Sequence, residues 1–224
     1  MIKPFIYLIL AATMLTAFGA CSADDGAKDK SLFKDTLAVA VTPTLDCLPL
    51  FVAQEIGIAK DQGHYLVLQG HLSKADCDTA LVGGSVSAIF TDFGRADNLV
   101  SNWKKMVTEK RGKKAKADSL SVIPHDNLHL YFFTNAKARI NEAKQLTDKM
   151  VAVDRKSAEA QMAQYVLDSV KLSSDKAFLV QMLNLRTRQT MLLNNTMDAA
   201  VLSEPQATIV RKAGHKSVYS SGHH

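Results

Sequence analysis

Three cysteines, five prolines and a single tryptophan in 224 residues leave little material for several specialised architectures. Cysteines at 21, 47 and 77 cannot build a multi-bridge disulfide framework or a four-cysteine zinc site. Five prolines and eleven glycines are too few for a fibre or a linker. No nucleophile elbow, phosphate loop or paired-histidine protease helix occurs, so the common signatures of catalysis are missing. Neither sign of charge dominates: 27 basic against 22 acidic side chains give +5, and the excess is local. Ser101 to Ala117 carries Lys104, Lys105, Lys110, Arg111, Lys113, Lys114 and Lys116 against Glu109, a net of +6, which leaves the remainder at −1. With Gly112, small alanines and only Trp103 as an aromatic, this run reads as a solvated helix end or loop. A nucleic-acid reader spreads its charge over a folded face with stacking aromatics beside it, so nucleic acid is not an expected partner. What remains is 47% hydrophobic and 22% charged, a globular composition long enough for one large domain or two small lobes.

The first twenty residues form a three-part secretory signal: one charge at Lys3, an apolar stretch from Pro4 through Leu15, then the small residues Ala17, Gly19 and Ala20. The apolar stretch is shorter than the roughly twenty residues a membrane span needs. Phe18-Gly19-Ala20-Cys21 resembles a bacterial lipobox, with Phe18 departing from the usual small aliphatic residue, so Cys21 is the expected lipidation site. Residues 21–35 are small, polar and charged without apolar periodicity, and read as a tether.

From Thr36 the chain alternates short apolar runs with helical stretches. Leu37–Val41, Tyr65–Leu68 and Ser87–Thr91 are expected strands, with helices over Leu48–Lys60, closed by Gly63, and Lys74–Val82. A second unit repeats the pattern: strands at Leu128–Phe133, Met150–Val153, Phe178–Met182 and Ala199–Leu202, helices over Ser157–Ser169 and Arg186–Asn194. Such alternation predicts a mostly parallel sheet with helices on its faces. The phrase Leu81 to Ala88 lines up with Leu192 to Ala199, each ending a helix, turning on residues that tolerate a left-handed backbone, and entering a strand. Two similar lobes are therefore expected, 36–124 and 125–221, with Ser121 to Asn127 as the crossover.

The stretch from Thr36 through Gly57 resembles the opening of ABC-transporter substrate-binding proteins of the nitrate, sulfonate and thiamine-precursor type. Gly83 through Asp92 and Leu192 through Pro205 are similar to that family's two lobe-specific phrases, in the same order. The resemblance implies an α/β, two-lobed periplasmic-binding-protein-like fold of type II. It implies a lipid-anchored binding protein of the bacterial cell envelope that holds a small polar organic ligand between its lobes, without cofactor or metal. Its partners would be an ABC permease and ATPase, with the membrane reached through the lipid. Family members add a closing segment to the first lobe after the second, whereas here the sequence stops soon after Tyr219; either that segment is reduced or the chain is a fragment. Two other functions stay open: a cofactor-biosynthesis enzyme on the same fold, whose cysteine-rich motif is absent, and a surface interaction lipoprotein without a transport role.

In open α/β sheets ligands bind beyond the carboxyl ends of the strands. The residues at those ends are Thr44 and Asp46, Lys74, Thr91 and Asp92, then Asp154, Arg155 and Ser157, and Glu204. Asp46 and Ser157 also fit as helix N-caps, and Glu204 as a carboxylate at a helix start. Four carboxylates in one cleft repel a bare inorganic anion and suit an amino-bearing heteroaromatic, with Phe93 or Tyr165 available to stack. Dominance of Arg155 would instead suit a sulfonate. His125 and His129 share the i, i+4 spacing of a metal pair but lack a third ligand, and Cys47 with Cys77 form a candidate bridge in an oxidising compartment.

Overall fold

The computed structural model describes residues 36–125, 128–173 and 175–222. The expected signal, Cys21 and the tether lie outside the described residues.

Two sheets organise the described residues. The first has three parallel strands in the order β2-β1-β3: β1 Thr36–Val41, β2 Tyr65–Gly70 and β3 Ala88–Ile89. Between them run α1 Leu48–Glu55 and α2 Lys74–Gly83, and α3 Phe93–Arg111 follows β3. The second sheet has five strands in the order β6-β5-β7-β4-β8: β4 Leu130–Thr134, β5 Lys149–Val153, β6 Ala177–Gln181, β7 Ala199–Ser203 and β8 Lys216–Ser220. Strands β5, β6 and β7 are parallel, and β4 runs antiparallel to both β7 and β8. Its helices are α4 Ala158–Ser169, α5 Leu185–Leu193 and α6 Gln206–Lys212. Among the described residues no helix is long and apolar enough to cross a membrane.

The apolar runs of β4, β5 and β7 are buried on both faces over most of their length, as helix-covered central strands require, whereas the edge strand β6 leaves Phe178 exposed. Phe132, Val151, Val153 and Val201 pack on the Met162, Ala163, Val166 and Leu167 face of α4. The alternate residues Phe133, Ala152, Ala200 and Leu202 pack on Leu185 and Leu192 of α5 and on Ala207 and Val210 of α6. The first lobe has less to bury. Ala40 meets Cys77, Ala80 and Leu81 of α2, while Val82, Leu99 and Val107 join α2 to α3.

Two features differ from the sequence expectation and one settles between its alternatives. The helix from Leu48 stops at Glu55, because Gly57 takes a left-handed backbone at φ +68; a short 3-10 turn then ends at Gly63, also left-handed at φ +78. Of the helix end or loop expected for the basic run, its first four cations take the solvated helix end, in the second half of the 19-residue α3, where Trp103 and Val107 face the core and the lysines face water. Strand β8 has no counterpart among the expected strands; it closes the second sheet against β4.

One buried ion pair ties the second lobe together. Glu159 lies on the apolar stripe of α4 and Arg188 on that of α5, each almost fully buried. Arg188 NH2 donates to Glu159 Oε1 at 3.0 Å, and its NH1 donates to Glu159 Oε2 and to the Val201 carbonyl at 2.8 Å. Removing one charge strands the other in a low-dielectric interior, whereas removing both does not. Arg188→Met should cost about 3–5 kcal/mol, and the double variant Arg188→Met with Glu159→Leu should recover much of that loss in urea unfolding.

Candidate ligand site between the lobes

The carboxyl ends of β1, β3, β5 and β7 carry loops that meet between the two lobes. Three direct contacts join them. Leu45 N donates to the Glu204 carbonyl at 3.1 Å. Ala158 N, at the start of α4, donates to Asp92 Oδ1 at 2.8 Å. The Arg95 guanidinium, 4% exposed, donates through NH1 to Asp154 and through Nε (2.9 Å) and NH2 to Asp78.

Asp92 is the centre of this arrangement. Its Oδ1 caps α3 through Arg95 N at 3.2 Å while accepting from α4 of the other lobe, and its Oδ2 accepts from Lys74 Nζ at 2.9 Å. A carboxylate between two helix N-termini is favoured by both sets of free N–H groups. Burial pushes its pKa upward, but the Lys74 charge and the amide donors outweigh it, so the group is held below its ordinary value. Lys74 loses stability as a cation through burial and regains more from Asp92, Glu159 and Asp46, so its pKa is raised. Asp78 is pushed up by burial against the opposing pull of Arg95. The close approach also needs a missing side chain: a Cβ on Gly94 would lie 2.9 Å from both Ala158 N and Ser157 C.

Beside this latch lies a cavity of about 300 Å³ lined by Leu45, Asp46 and Pro49 from the first lobe and by His129, Tyr131, Ser203 and Glu204 from the second. Glu204 Oε2 accepts from Thr208 N at 2.9 Å, so its carboxylate sits at the start of α6. On the first-lobe side Asp46 Oδ1, Asp78 Oδ1 and Thr91 Oγ1 are buried with no hydrogen-bond partner. Buried acceptors without partners are costly, and Asp46 Oδ1, on the cavity wall, marks where a donor-bearing molecule would satisfy one.

The structure divides the nine residues named from sequence into groups. Asp46 and Glu204 line the cavity, while Lys74, Asp92 and Asp154 belong to the latch. Thr44 is buried with its hydroxyl donating to the Thr42 carbonyl at 3.1 Å, and Ser157 caps α4. Thr91 carries one of the unpartnered oxygens. Arg155 is exposed, its amide donating to Gln181 Oε1, which turns its backbone rather than its guanidinium to the strand ends. Tyr165 packs against Tyr219 on the outer side of α4, and Phe93 is 76% exposed outside the cavity, so neither stacks there; His129 and Tyr131 supply the aromatic wall instead. His125 stacks on Phe90 at 4.5 Å, away from His129, and the pair does not converge. Among the described residues no group of three His, Cys, Asp or Glu side chains is placed to hold a metal ion. Cys47 and Cys77 are buried free thiols on either side of Thr42, the first donating to its carbonyl and the second 3.7 Å from its hydroxyl. Burial lifts the Cys77 pKa to about 11.

Sequence reasoning missed Arg95, Asp78 and Tyr131, and named His129 only as half of a metal pair rather than as cavity wall. Asp78 had a signal: it stands on α2 between Cys77 and the buried Ala80-Leu81-Val82 run, where a charge needs a partner.

No protein-family model matches this sequence, and no curated protein matches it. Solved structures do match in fold. The alkanesulfonate-binding protein SsuA of Xanthomonas axonopodis pv. citri, bound to MOPS, is 13% identical over 85% of this chain, with a TM-score of 0.60. The ligand-binding component of an ABC-type import system from Staphylococcus aureus, with zinc bound, is 13% identical over 84%, with a TM-score of 0.63. The periplasmic nitrate-binding protein NrtA of Synechocystis PCC 6803 is 16% identical over 84%, also at 0.63. The chain spans 62%, 61% and 51% of those three chains. The two-lobed periplasmic-binding-protein-like fold implied by the sequence is therefore the fold observed.

Because Asp92 ionises more readily in the folded chain, its contribution is present above its unfolded value near 4 and is lost as pH falls through the lower folded value. Asp92→Asn should cost about 3 kcal/mol at pH 7. The difference from the native chain should shrink below about pH 4 in chemical denaturation.

Proposed function

We propose that this protein is a lipid-anchored solute-binding component of an ABC importer, without enzymatic activity, which takes a small amino-bearing organic molecule between its lobes and delivers it to a membrane permease and ATPase. The observation that carries this reading is the inter-lobe cavity with Asp46 on one wall and Glu204 on the other. Its volume suits one small molecule, at the lower end of the range for ligand pockets. The two carboxylates accept from ring or exocyclic amino groups, and the unpartnered Asp46 oxygen is free to do so. His129 and Tyr131 offer ring faces to an aromatic ligand. A bare anion would meet negative charge from both lobes. The fold likeness to binding components of importers supports the transport role.

Anchoring rests on the sequence at Phe18-Gly19-Ala20-Cys21 and places the protein at the bacterial cell envelope. The inter-lobe latch favours a second reading, a surface interaction lipoprotein whose lobes remain paired.

In calorimetry an aminopyrimidine should bind the native protein, and Asp46→Asn or Glu204→Gln should weaken it about tenfold or more, since a hydrogen bond to a charged group is worth about 1.5–3 kcal/mol. Tight nitrate binding unaffected by either substitution would overturn the ligand assignment. A scattering profile unchanged by every solute tried, with no binding, would select the second reading.

Metabolic labelling with a fatty acid should tag the native chain and not Cys21→Ala. Unlabelled native protein in the cytosol would remove the anchor and favour a biosynthetic enzyme.

A further inference from the structure

The basic run takes no part in the latch or the cavity, and it stands at the opposite end of the first lobe. Helix α3 starts after Asp92, at the latch, and runs for 19 residues, about 28 Å at 1.5 Å per residue, to Arg111. In a parallel unit the connecting helix returns to the amino ends of the strands, and the contacts of Arg111 agree. Its guanidinium donates through Nε to the Val82 carbonyl and through NH2 to the Leu81 carbonyl at 2.7 Å, which pins it to the last turn of α2. A Cβ on the next residue but one, Gly84, would lie 2.9 Å from the Arg111 Cζ. That turn leads to Ser87, whose amide donates to the Ala38 carbonyl at 2.9 Å, two residues beyond the start of β1 at Thr36. The six lysines of the run occupy the last two turns of α3 and the segment just after it, so they surround the end of the sheet at which β1 begins.

The lobe is nearly neutral, but its charge is separated along α3. Residues 36–124 hold ten cations and nine acids, so net attraction alone would give no preferred orientation. Asp46, Asp76, Asp78, Asp92 and Asp97 lie in the 3-10 turn after β1 and in or before the first halves of α2 and α3, beside the cleft, against Lys74 and Arg95. Seven of the ten cations stand at the far end, with Glu109 and Asp118 among them. A body polarised in this way is turned by a charged surface even when its net charge is small.

The chemistry of the run narrows the partner. Its only aromatic, Trp103, donates its indole N–H to the Asp118 carbonyl at 2.6 Å and packs beneath the segment, so it offers no ring to a nucleic-acid base. Its only guanidinium is spent on backbone carbonyls, which removes the fork that would grip one carboxylate or phosphate of a folded partner. What is left is six point charges on flexible stems, suited to a diffuse layer of phosphate headgroups. The chain also enters at this end: fourteen residues lie between Cys21 and Thr36, and at no more than about 3.6 Å each they reach at most about 50 Å.

We infer that the amino end of the first lobe, carrying residues 104–116, docks on a bilayer of anionic phospholipid and points the latch end of α3 away from it. The inference rests on the anchor proposed above, which supplies proximity, while the lysines supply orientation. Each lysine near an anionic surface strengthens the contact about fivefold, and the effect fades within a Debye length, so only the end of the lobe that faces the bilayer gains.

The test places the full-length protein with vesicles of phosphatidylcholine alone and with vesicles in which about a third of the lipid is phosphatidylglycerol. A water-soluble acetylating reagent then marks exposed lysines, read one by one by mass spectrometry. Retention on the neutral vesicles reports the N-terminal attachment alone. The inference is read from the difference between the two lipids, whether or not the neutral vesicles retain the chain, so the anchor and the docking face fail separately. On the anionic vesicles the six lysines of residues 104–116 should react several-fold more slowly than on the neutral ones, while the exposed second-lobe lysines Lys137, Lys144 and Lys171 should not change. Salt at about 1 M, where the Debye length is about 3 Å, should abolish the difference. The variant Lys110→Gln, Lys113→Gln, Lys114→Gln, Lys116→Gln should keep its Tm and lose the extra retention on anionic lipid by about fivefold per lysine. The inference is overturned if the two lipids give the same pattern, if the second-lobe lysines are the ones protected, or if the variant keeps the full preference. Protection by single-stranded RNA with none by anionic vesicles overturns it in favour of a nucleic-acid partner.

Discussion

One buried carboxylate holds the molecule in its observed form. Asp92 accepts from the start of its own helix, from the start of α4 in the other lobe, and from Lys74, so three separate segments meet on two oxygens. Each donor alone would be an ordinary cap or ion pair. Together they make the orientation of the lobes depend on one side chain, because a shift that relaxes the α4 contact also unbalances the Lys74 charge. Arg95, three residues on, extends the same join to Asp154, and Gly94 between them removes the only side chain that would hold the backbones apart.

The latch and the cavity divide the chemistry of the strand ends. Lys74 and Arg95 are both committed to carboxylates, so the cations of the cleft neutralise Asp92, Asp78 and Asp154. Asp46 and Glu204 have no such direct partner: Lys74 acts on Asp46 only at longer range, and Arg211 approaches Glu204 at 3.6 Å and is itself half exposed, over the Tyr131 ring. The negative character of the cavity is thus a consequence of where the positive charge is spent. On the proposed function, selectivity rests on two residues from different lobes, and a cleft so built senses whether both halves have engaged the same molecule.

Most of the architecture was legible because parallel strands covered by helices announce themselves as short unbroken apolar runs, and the Leu81 and Leu192 phrases carried the internal repeat. Local breaks were harder: the end of α1 depends on the conformation of Gly57, and β8 has a polar, unremarkable sequence that pairs only because β4 presents an edge. Strand ends located Asp46, Asp92, Asp154 and Glu204, since topology alone brings them together. Arg95 and Asp78 were illegible as a pair, because they lie 17 residues apart on two helices and their meeting is a product of packing. Arg155, attractive as a nearby guanidinium, points outward for a reason no spacing reveals: its backbone is turned by Gln181.

The unequal interiors of the lobes have a consequence for affinity. Strands β5 and β7 are sealed on both faces, whereas α1 has no buried residue and the first sheet rests on a few contacts among Ala40, Cys77, Leu81 and Val86. Partial unfolding is therefore expected to begin in the first lobe, which has fewer buried apolar contacts to hold it. Half of the cavity wall belongs to the part that melts first. The apparent dissociation constant of any molecule held there is raised by the inverse of the fraction of time the first lobe is ordered, so that temperature sets affinity through a local order–disorder equilibrium before it touches a single contact.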